Sequence, residues 1–125
     1  MNREELLSSL RDRGFSSKIV GAFSKVKRED FIPVNVRAMA YEDTPLPIGN
    51  GQTISQPYVI AMMLATLNLK EGQKVLEAGS GSGYVLALMS EIVGKKGKVF
   101  GIEIINELAK RSREALYEYE NVKVY

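Results

Sequence analysis

The sequence contains no cysteine, no histidine and no tryptophan. Without cysteine there is no disulfide, no thiol nucleophile and no thiolate metal site. Without histidine the commonest general base and the commonest transition-metal ligand are gone. Any chemistry must use carboxylates, hydroxyls, amides and backbone dipoles, or a cofactor that arrives already activated. Long apolar runs are also missing, since none approaches the roughly 20 residues that a membrane span needs. Seventeen Lys and Arg against 15 Asp and Glu leave a net charge of +2. That is too weak a footprint for a nucleic acid or an anionic membrane surface. The charged, helix-patterned N-terminus does not fit a signal peptide. These absences set the expectation of a cytoplasmic protein with no nucleic acid and no membrane as partner. The 125 residues, 45% of them apolar, suffice for one domain with a true core.

The first third reads as helices. In "NREELLSSLRDRG", Asn2 and Glu5 have capping-box spacing, Leu6, Leu7 and Leu10 form a stripe, and Gly14 fits a stop. "SSKIVGAFSKV" predicts a second helix, with Ser16 or Ser17 at its cap and Ile19, Val20, Phe23 and Val26 on one face. Pro33 disfavours helix at Ile32, and "VNVRAMAY" reads as a short helical piece. "YVIAMMLATLNL" has helical spacing at Ile60, Met63, Leu64 and Leu67, with Ser55 or Gln56 at the N-cap and Pro57 in the first turn.

The rhythm then changes. "KVLEA" predicts a strand, "YVLALMSEIV" a helix, "GKKG" a turn and "KVFGIEI" a strand. "ELAKRSREALYEYE" follows as a helix capped by Asn106, and "NVKVY" as a third strand. Such alternation implies right-handed parallel crossovers in an open α/β sheet. The expected organisation is an N-terminal helical cap with a loop over residues 1–57, then the first half of a doubly wound parallel sheet over 58–125. Met62, Met63 and Met89 read as core. Lys95, Lys96 and Lys98 read as a solvated turn, and Tyr117 and Tyr119 as packing along the last helix.

Between the first strand and its helix lies "VLEAGSGSGY". The dinucleotide fingerprint G-x-G-x-x-G fails here: its last position falls on Tyr84 or on Leu86. The spacing is E-x-G-x-G-x-G instead, which looks like the S-adenosylmethionine-binding loop of Rossmann-like methyltransferases. Glu77, Gly79, Ser80, Gly81 and Gly83 are therefore candidate cofactor-binding residues. Glu103 closes the second strand, where an acidic residue can accept from two ribose hydroxyls, as one does for NAD. A tight turn alone would account for the glycines, and an ordinary strand-end carboxylate for Glu103. The strand before, the helix after and the two acids together favour the cofactor.

Just ahead of the third helix, "PLPIGNGQTISQP" holds three of the four prolines, two glycines, two hydroxyl residues and two glutamines. It shows neither helical nor strand period, and a plain linker would need neither its prolines nor its glutamines. Together with "VKREDFIP" and "VLEAGSGSGY" it resembles the protein-L-isoaspartate O-methyltransferase family. That family carries a Val-Pro-Arg-Glu-like stretch before a Phe, then D-x-P-L-P-I-G-x-G-Q-T-I-S-Q-P, then the glycine loop. "EDTPLPIGNGQTISQP" follows the pattern almost letter for letter, and the resemblance covers essentially the whole chain. Lys27 departs from it, standing where the family usually has Pro. The resemblance implies S-adenosyl-L-methionine as cofactor and isoaspartyl-containing proteins or peptides as partners, methylated on a carboxylate as a repair step. It implies Ser55 as the active-site serine, with Gln52, Thr53 and Ile54 as substrate-binding residues and no metal. The chemistry suits the composition: a carboxylate with a pKa near 4 is already ionised at neutral pH, so positioning replaces proton transfer.

Two other functions remain open on the sequence: a tRNA or other nucleic-acid methyltransferase, and a non-catalytic half-domain that binds cofactor. The resemblance also implies a sheet with "KVLEA" in its middle and further strands beyond it. Here the third strand is the last, so the expectation is an unpaired edge at Val75 and Leu76 and a homo-oligomer through that exposed sheet edge.

Overall fold

The computed structural model describes all of residues 1–125. Helix α1, Arg3–Asp12, opens with the expected capping box. The Asn2 side chain accepts from the Glu5 N–H at 2.8 Å and the Glu5 carboxylate accepts from the Asn2 N–H at 3.0 Å. Helix α2, Ser17–Lys25, is capped by Ser16, whose hydroxyl accepts from the Ile19 N–H at 3.3 Å. Both helices bury the stripes read from the sequence, Leu6, Leu7 and Leu10 on α1 and Ile19, Val20 and Phe23 on α2. Two 3-10 segments follow, Arg28–Phe31 and Val34–Met39, on either side of Pro33.

The stretch without an obvious period is in fact a β-hairpin. Strand β1, Leu46–Gly49, pairs antiparallel with β2, Gln52–Ile54, with a bulge between Pro47 and Gly49. Asn50 and Gly51 form the tip with φ of 56° and 72°, the sign that a two-residue I′ turn demands at both positions. The Asn-Gly pair was the available signal. The two prolines and the bulge hid the alternation, in which Leu46, Ile48 and Ile54 turn inward.

Helix α3 is Pro57–Leu67, β3 is Lys74–Ala78, α4 is Tyr84–Val93, β4 is Lys98–Ile102, α5 is Asn106–Ala115 and β5 is Val122–Val124. The second sheet has the order β3-β4-β5 and is parallel throughout. In register, Val75 faces Val99 and Glu77 faces Gly101, while Leu76, Phe100 and Lys123 share the opposite face. Helix α4 packs on the sheet and α2 packs on α4, so the chain is layered as cap, helices and sheet. One cluster of 29 buried residues runs from Leu7 to Val124 through all three layers. The other sheet face is open, with Leu76 58% exposed, Ile102 and Tyr125 also exposed, and lysines 74, 98 and 123 around them. Parallel sheets are ordinarily covered on both faces.

Several sequence expectations change. Met62, Met63 and Leu67 lie on the exposed side of α3, which buries Ile60, Ala61 and Leu64 instead; only Met89 of the three methionines is core. A helix apolar on all sides gives no single stripe to read, so spacing picked Ile60 and Leu64 correctly but Met63 and Leu67 wrongly. Ile105, not Asn106, is the N-cap of α5. That helix ends at Ala115, leaving Tyr117 exposed and Tyr119 packed against the core. At α3 the N-cap is Gln56, which makes no side-chain bond. Asp43 does the work from a distance, its Oδ1 accepting from the Tyr58 N–H at 2.9 Å.

Candidate functional site

The loop after β3 is locked onto the end of β4. The amides of Gly79 and Ser80 both donate to the Ile102 carbonyl, at 2.7 and 3.0 Å. The Gly81 amide donates to Glu103 Oε1 at 2.8 Å, and the Gly83 amide to the Ser80 carbonyl at 3.0 Å. Gly79, Gly81 and Gly83 have φ of 77°, 53° and 89°, a region that side chains with a Cβ rarely enter. At Gly83 space is limiting as well, since a Cβ would lie 2.8 Å from Leu116 Cδ1. A pyrophosphate cradle works through free amides at a helix N-terminus. Here four loop amides are already spent on the protein, so the recognition falls to side chains.

Those side chains are acidic and hydroxylic. Glu103 Oε2 accepts from the Ile105 N–H at 2.9 Å, so each of its oxygens holds one amide and keeps one lone pair free. Two free acceptors on one fixed carboxylate match a pair of vicinal hydroxyls. Glu77 is half-buried, and its Oε1 is sealed from solvent with no hydrogen-bond partner. Burial, and then the nearby charge of Glu103, push its carboxyl up to about 7. The Ser80 hydroxyl is likewise buried without a partner. It sits against Gly101, where a Cβ would lie 2.8 Å from Ser80 Oγ and 2.6 Å from Leu86 Cδ1. Gly101 was not singled out by sequence reasoning, because a lone Gly inside a strand signals a close approach without saying to what.

The hairpin reaches this loop. Ile48 Cδ1 lies 3.6 Å from where a Gly81 Cβ would stand. Arg111 Nη2 on α5 donates to the Ile48 carbonyl at 2.8 Å, and Asn50 Nδ2 reaches Glu107 Oε2 at 3.5 Å. On β2 and just beyond it, Gln52, Thr53 and Ser55 are exposed. Ile54 is 4% exposed and points into the core, so it supports the hairpin from below. Beneath the loop Arg28 is completely buried, with its guanidinium pKa lowered by desolvation. Neither Arg28 nor Asp43 could be singled out from sequence, since their partners are backbone groups 12 to 27 residues away.

Comparison with known proteins accords with this geometry. Residues 1–125 match the family described as protein-L-isoaspartate(D-aspartate) O-methyltransferase. A protein-L-isoaspartate O-methyltransferase from Methanothrix thermoacetophila is 50% identical over 126 residues, covering 99% of this chain and 60% of that protein. A second, from Archaeoglobus fulgidus, is 51% identical over 125 residues, covering 98% of this chain and 57% of its own length. Among solved structures, a protein-L-isoaspartate O-methyltransferase superposes with a TM-score of 0.90 at 33% identity, over 99% of this chain and 41% of the other. A Plasmodium falciparum protein described as a protein-L-isoaspartate O-methyltransferase, in complex with S-adenosyl-L-homocysteine, gives 0.85 at 30% identity, over 100% of this chain and 62% of the other. The chain thus spans about 60% of the length of the curated relatives it matches, including the cap and part of the Rossmann-like sheet. With every residue from 1 to 125 inside the match, the chain belongs to the protein-L-isoaspartate O-methyltransferase family.

Proposed function

We propose that this chain takes part in methyl transfer from S-adenosyl-L-methionine to the carboxylate of L-isoaspartyl residues in damaged proteins and peptides. The observation that carries the reading is the seating of the "GQTIS" hairpin, with its exposed hydroxyls, directly on the locked glycine loop. The site fits the cofactor. Two sealed polar atoms, Glu77 Oε1 and Ser80 Oγ, lack protein partners, and Glu103 keeps two lone pairs free. Glu77, Ser80 and Glu103 would hold it through their side chains, and Gly79, Gly81 and Gly83 would let it lie close against the backbone. When bound, S-adenosylmethionine supplies a methyl group that is already electrophilic.

The remaining work is the chain's own. Gln52, Thr53 and Ser55 offer hydroxyl and amide groups that hold an isoaspartyl segment without removing a proton. Ser55 is the group assigned to the substrate carboxylate itself, and Ile54 fixes the strand that carries its neighbours. An ionised carboxylate needs orientation and exclusion of water rather than a base, which is why a site without His or Cys suffices. Residues 1–57 provide the cap and hairpin for the substrate, and residues 58–125 the cofactor half. We place the activity in the cytoplasm, where lacking disulfides is no handicap. No helix is long and apolar enough to cross a membrane.

We further propose that copies associate through β3. It is an edge strand of the sheet, so one row of its N–H and C=O groups lacks a strand partner. The lysines around the open face oppose stacking face to face and leave edge-to-edge pairing as the self-complementary route.

The test of the reaction is binding of labelled S-adenosylmethionine, followed by transfer to an isoaspartyl peptide, to its aspartyl twin and to tRNA. Label on the isoaspartyl peptide alone is expected. Label on tRNA, or cofactor binding with no acceptor methylated, would replace the reading with one of its two rivals.

A further inference from the structure

We infer that Arg28 is a positioning residue for the substrate loop, which it acts on through the backbone of Ser55. The inference rests on the methyl-transfer reading for its kinetic consequence, but on geometry alone for the positioning itself. Arg28 is 0% exposed and makes no ion pair. Its Nη1 donates to the carbonyls of Ala40 at 2.9 Å and Glu42 at 3.1 Å. Its Nη2 donates to the carbonyls of Thr44 at 2.9 Å and Ser55 at 3.1 Å. Three of these acceptors line the segment that leads into β1, and the fourth follows β2. The guanidinium therefore pins both legs of the hairpin to one rigid plane.

The same knot holds the start of α3. Asp43 lies between two of the clamped carbonyls, and its Oδ1 accepts the Tyr58 N–H. Its Oδ2 is 3.5 Å from Arg13, whose guanidinium stacks 4.1 Å over the Tyr58 ring. Ser55 is thus held from its carbonyl, and helix α3 from the Tyr58 amide three residues later, while the Ser55 side chain stays exposed. A residue whose carbonyl is fixed this way has its hydroxyl direction limited to rotation about χ1. Only arginine fits the task. Four acceptors spread around a plane match a forked guanidinium, whereas an ammonium is a point with three donors.

The experiment uses the full chain with Arg28→Lys and Arg28→Met. Three quantities are read: calorimetric affinity for S-adenosylhomocysteine, residue-resolved amide exchange, and steady-state methylation of an isoaspartyl peptide. We expect cofactor affinity within about twofold of the parent. The Thr44 and Tyr58 amides should exchange at least about tenfold faster while Val99 in β4 is unchanged. Peptide KM should rise about tenfold with a smaller change in kcat, and Arg28→Lys should recover part of the loss seen in Arg28→Met. Unchanged exchange at Thr44 and Tyr58 overturns the inference. So does a parallel loss of cofactor affinity and of Val99 protection, which marks a general scaffold role. Should both variants fail to fold, the parent decides: with denaturant, the Glu42, Thr44 and Tyr58 amides must open along one common curve, and independent opening refutes the knot. If the parent methylates nothing, the functional reading fails while the exchange and cofactor arms still judge Arg28.

Discussion

Replacing Glu77 by Gln should make the protein more stable at neutral pH and leave it unchanged in acid. The carboxyl is held at about 7 in the folded chain, against an ordinary 4.5, by burial and then by Glu103. A raised pKa means that the folded state binds this proton more tightly than the unfolded state does. Between pH 4.5 and 7 the folded chain therefore carries more of this proton, and stability falls as pH rises through that window, levelling off above it. At about 1.4 kcal/mol for each pKa unit, the full loss is about 3 kcal/mol. Gln keeps the shape and removes the charge. The difference in unfolding free energy between Glu77→Gln and the parent should be near zero at pH 4 and about 3 kcal/mol in favour of the variant at pH 8. Urea unfolding from pH 4 to pH 8 measures it, and taking the difference cancels the slopes of the other carboxylates. A cation near Glu77 should reverse the preference. The parent's affinity for S-adenosylmethionine, relative to S-adenosylhomocysteine, whose sulfur is a neutral thioether, should rise about tenfold from pH 5.5 to pH 8 if the sulfonium is the cation that Glu77 meets, and the variant should lose that dependence. A stability difference that is the same at every pH would refute the argument, because it would mean that Glu77 titrates normally and is not desolvated.

Other substitutions separate the parts of the site. Ser55→Ala should cut isoaspartyl methylation while changing stability by less than about 0.5 kcal/mol, because Ser55 is exposed and caps nothing; full activity removes it from the mechanism. Glu103→Ala should cost about 1.5–3 kcal/mol of cofactor affinity in calorimetry, and also loosen the loop by stranding the Gly81 and Ile105 amides; an affinity equal to the parent's would dissociate Glu103 from the cofactor. Gly83→Ala should destabilise by about 2–4 kcal/mol in denaturant, combining a left-handed backbone with a clash against Leu116, and a neutral result would mean that α5 can shift away. Sedimentation over a concentration series should show self-association that Leu76→Lys weakens, because pairing two β3 edges would set the added like charges on neighbouring strands; a monomer at high micromolar concentration ends the edge proposal.

Most of the fold was legible because local chemistry and burial agreed. Asn2 with Glu5, Ser16, and the strand–glycine–helix sequence from Lys74 to Val93 each specify their element within a few residues. What escaped depended on distant partners. Helix α3 offered apolar residues on every side, and which of them were buried was decided by where the cap, and not the sheet, happened to press. Its N-terminus looked like a local cap at Ser55 or Gln56, yet the acceptor came from Asp43, 15 residues upstream. The hairpin was hidden because two prolines and a bulge broke a two-residue period that only seven strand residues carry.

The site divides along the same line. The glycine loop could be read because its requirement is conformational: the positive φ at Gly79, Gly81 and Gly83 is one that residues with a Cβ rarely adopt. The substrate side could be suspected from residue types but not assembled, because its geometry is set by a buried charge acting on carbonyls. A carbonyl is present at every position and leaves no trace in the sequence. Arg28 reads as one more lysine-or-arginine in "VKRED" until the fold places four carbonyls around it. Glu77 reads as a spacing element of the glycine motif until the fold removes its water and sets it near Glu103. Both are charges that burial penalises heavily unless something compensates. For Arg28 most of the compensation is in the chain itself: four carbonyls of the segments it orders take its Nη donors, and only Nε is left without a partner. For Glu77 no partner within the chain reaches Oε1, and the group answers by holding its proton. The difference lies in the charged atoms: the Arg28 charge meets four carbonyls, while the Glu77 carboxylate meets Glu103 and no donor at Oε1, and only the folded structure can express it.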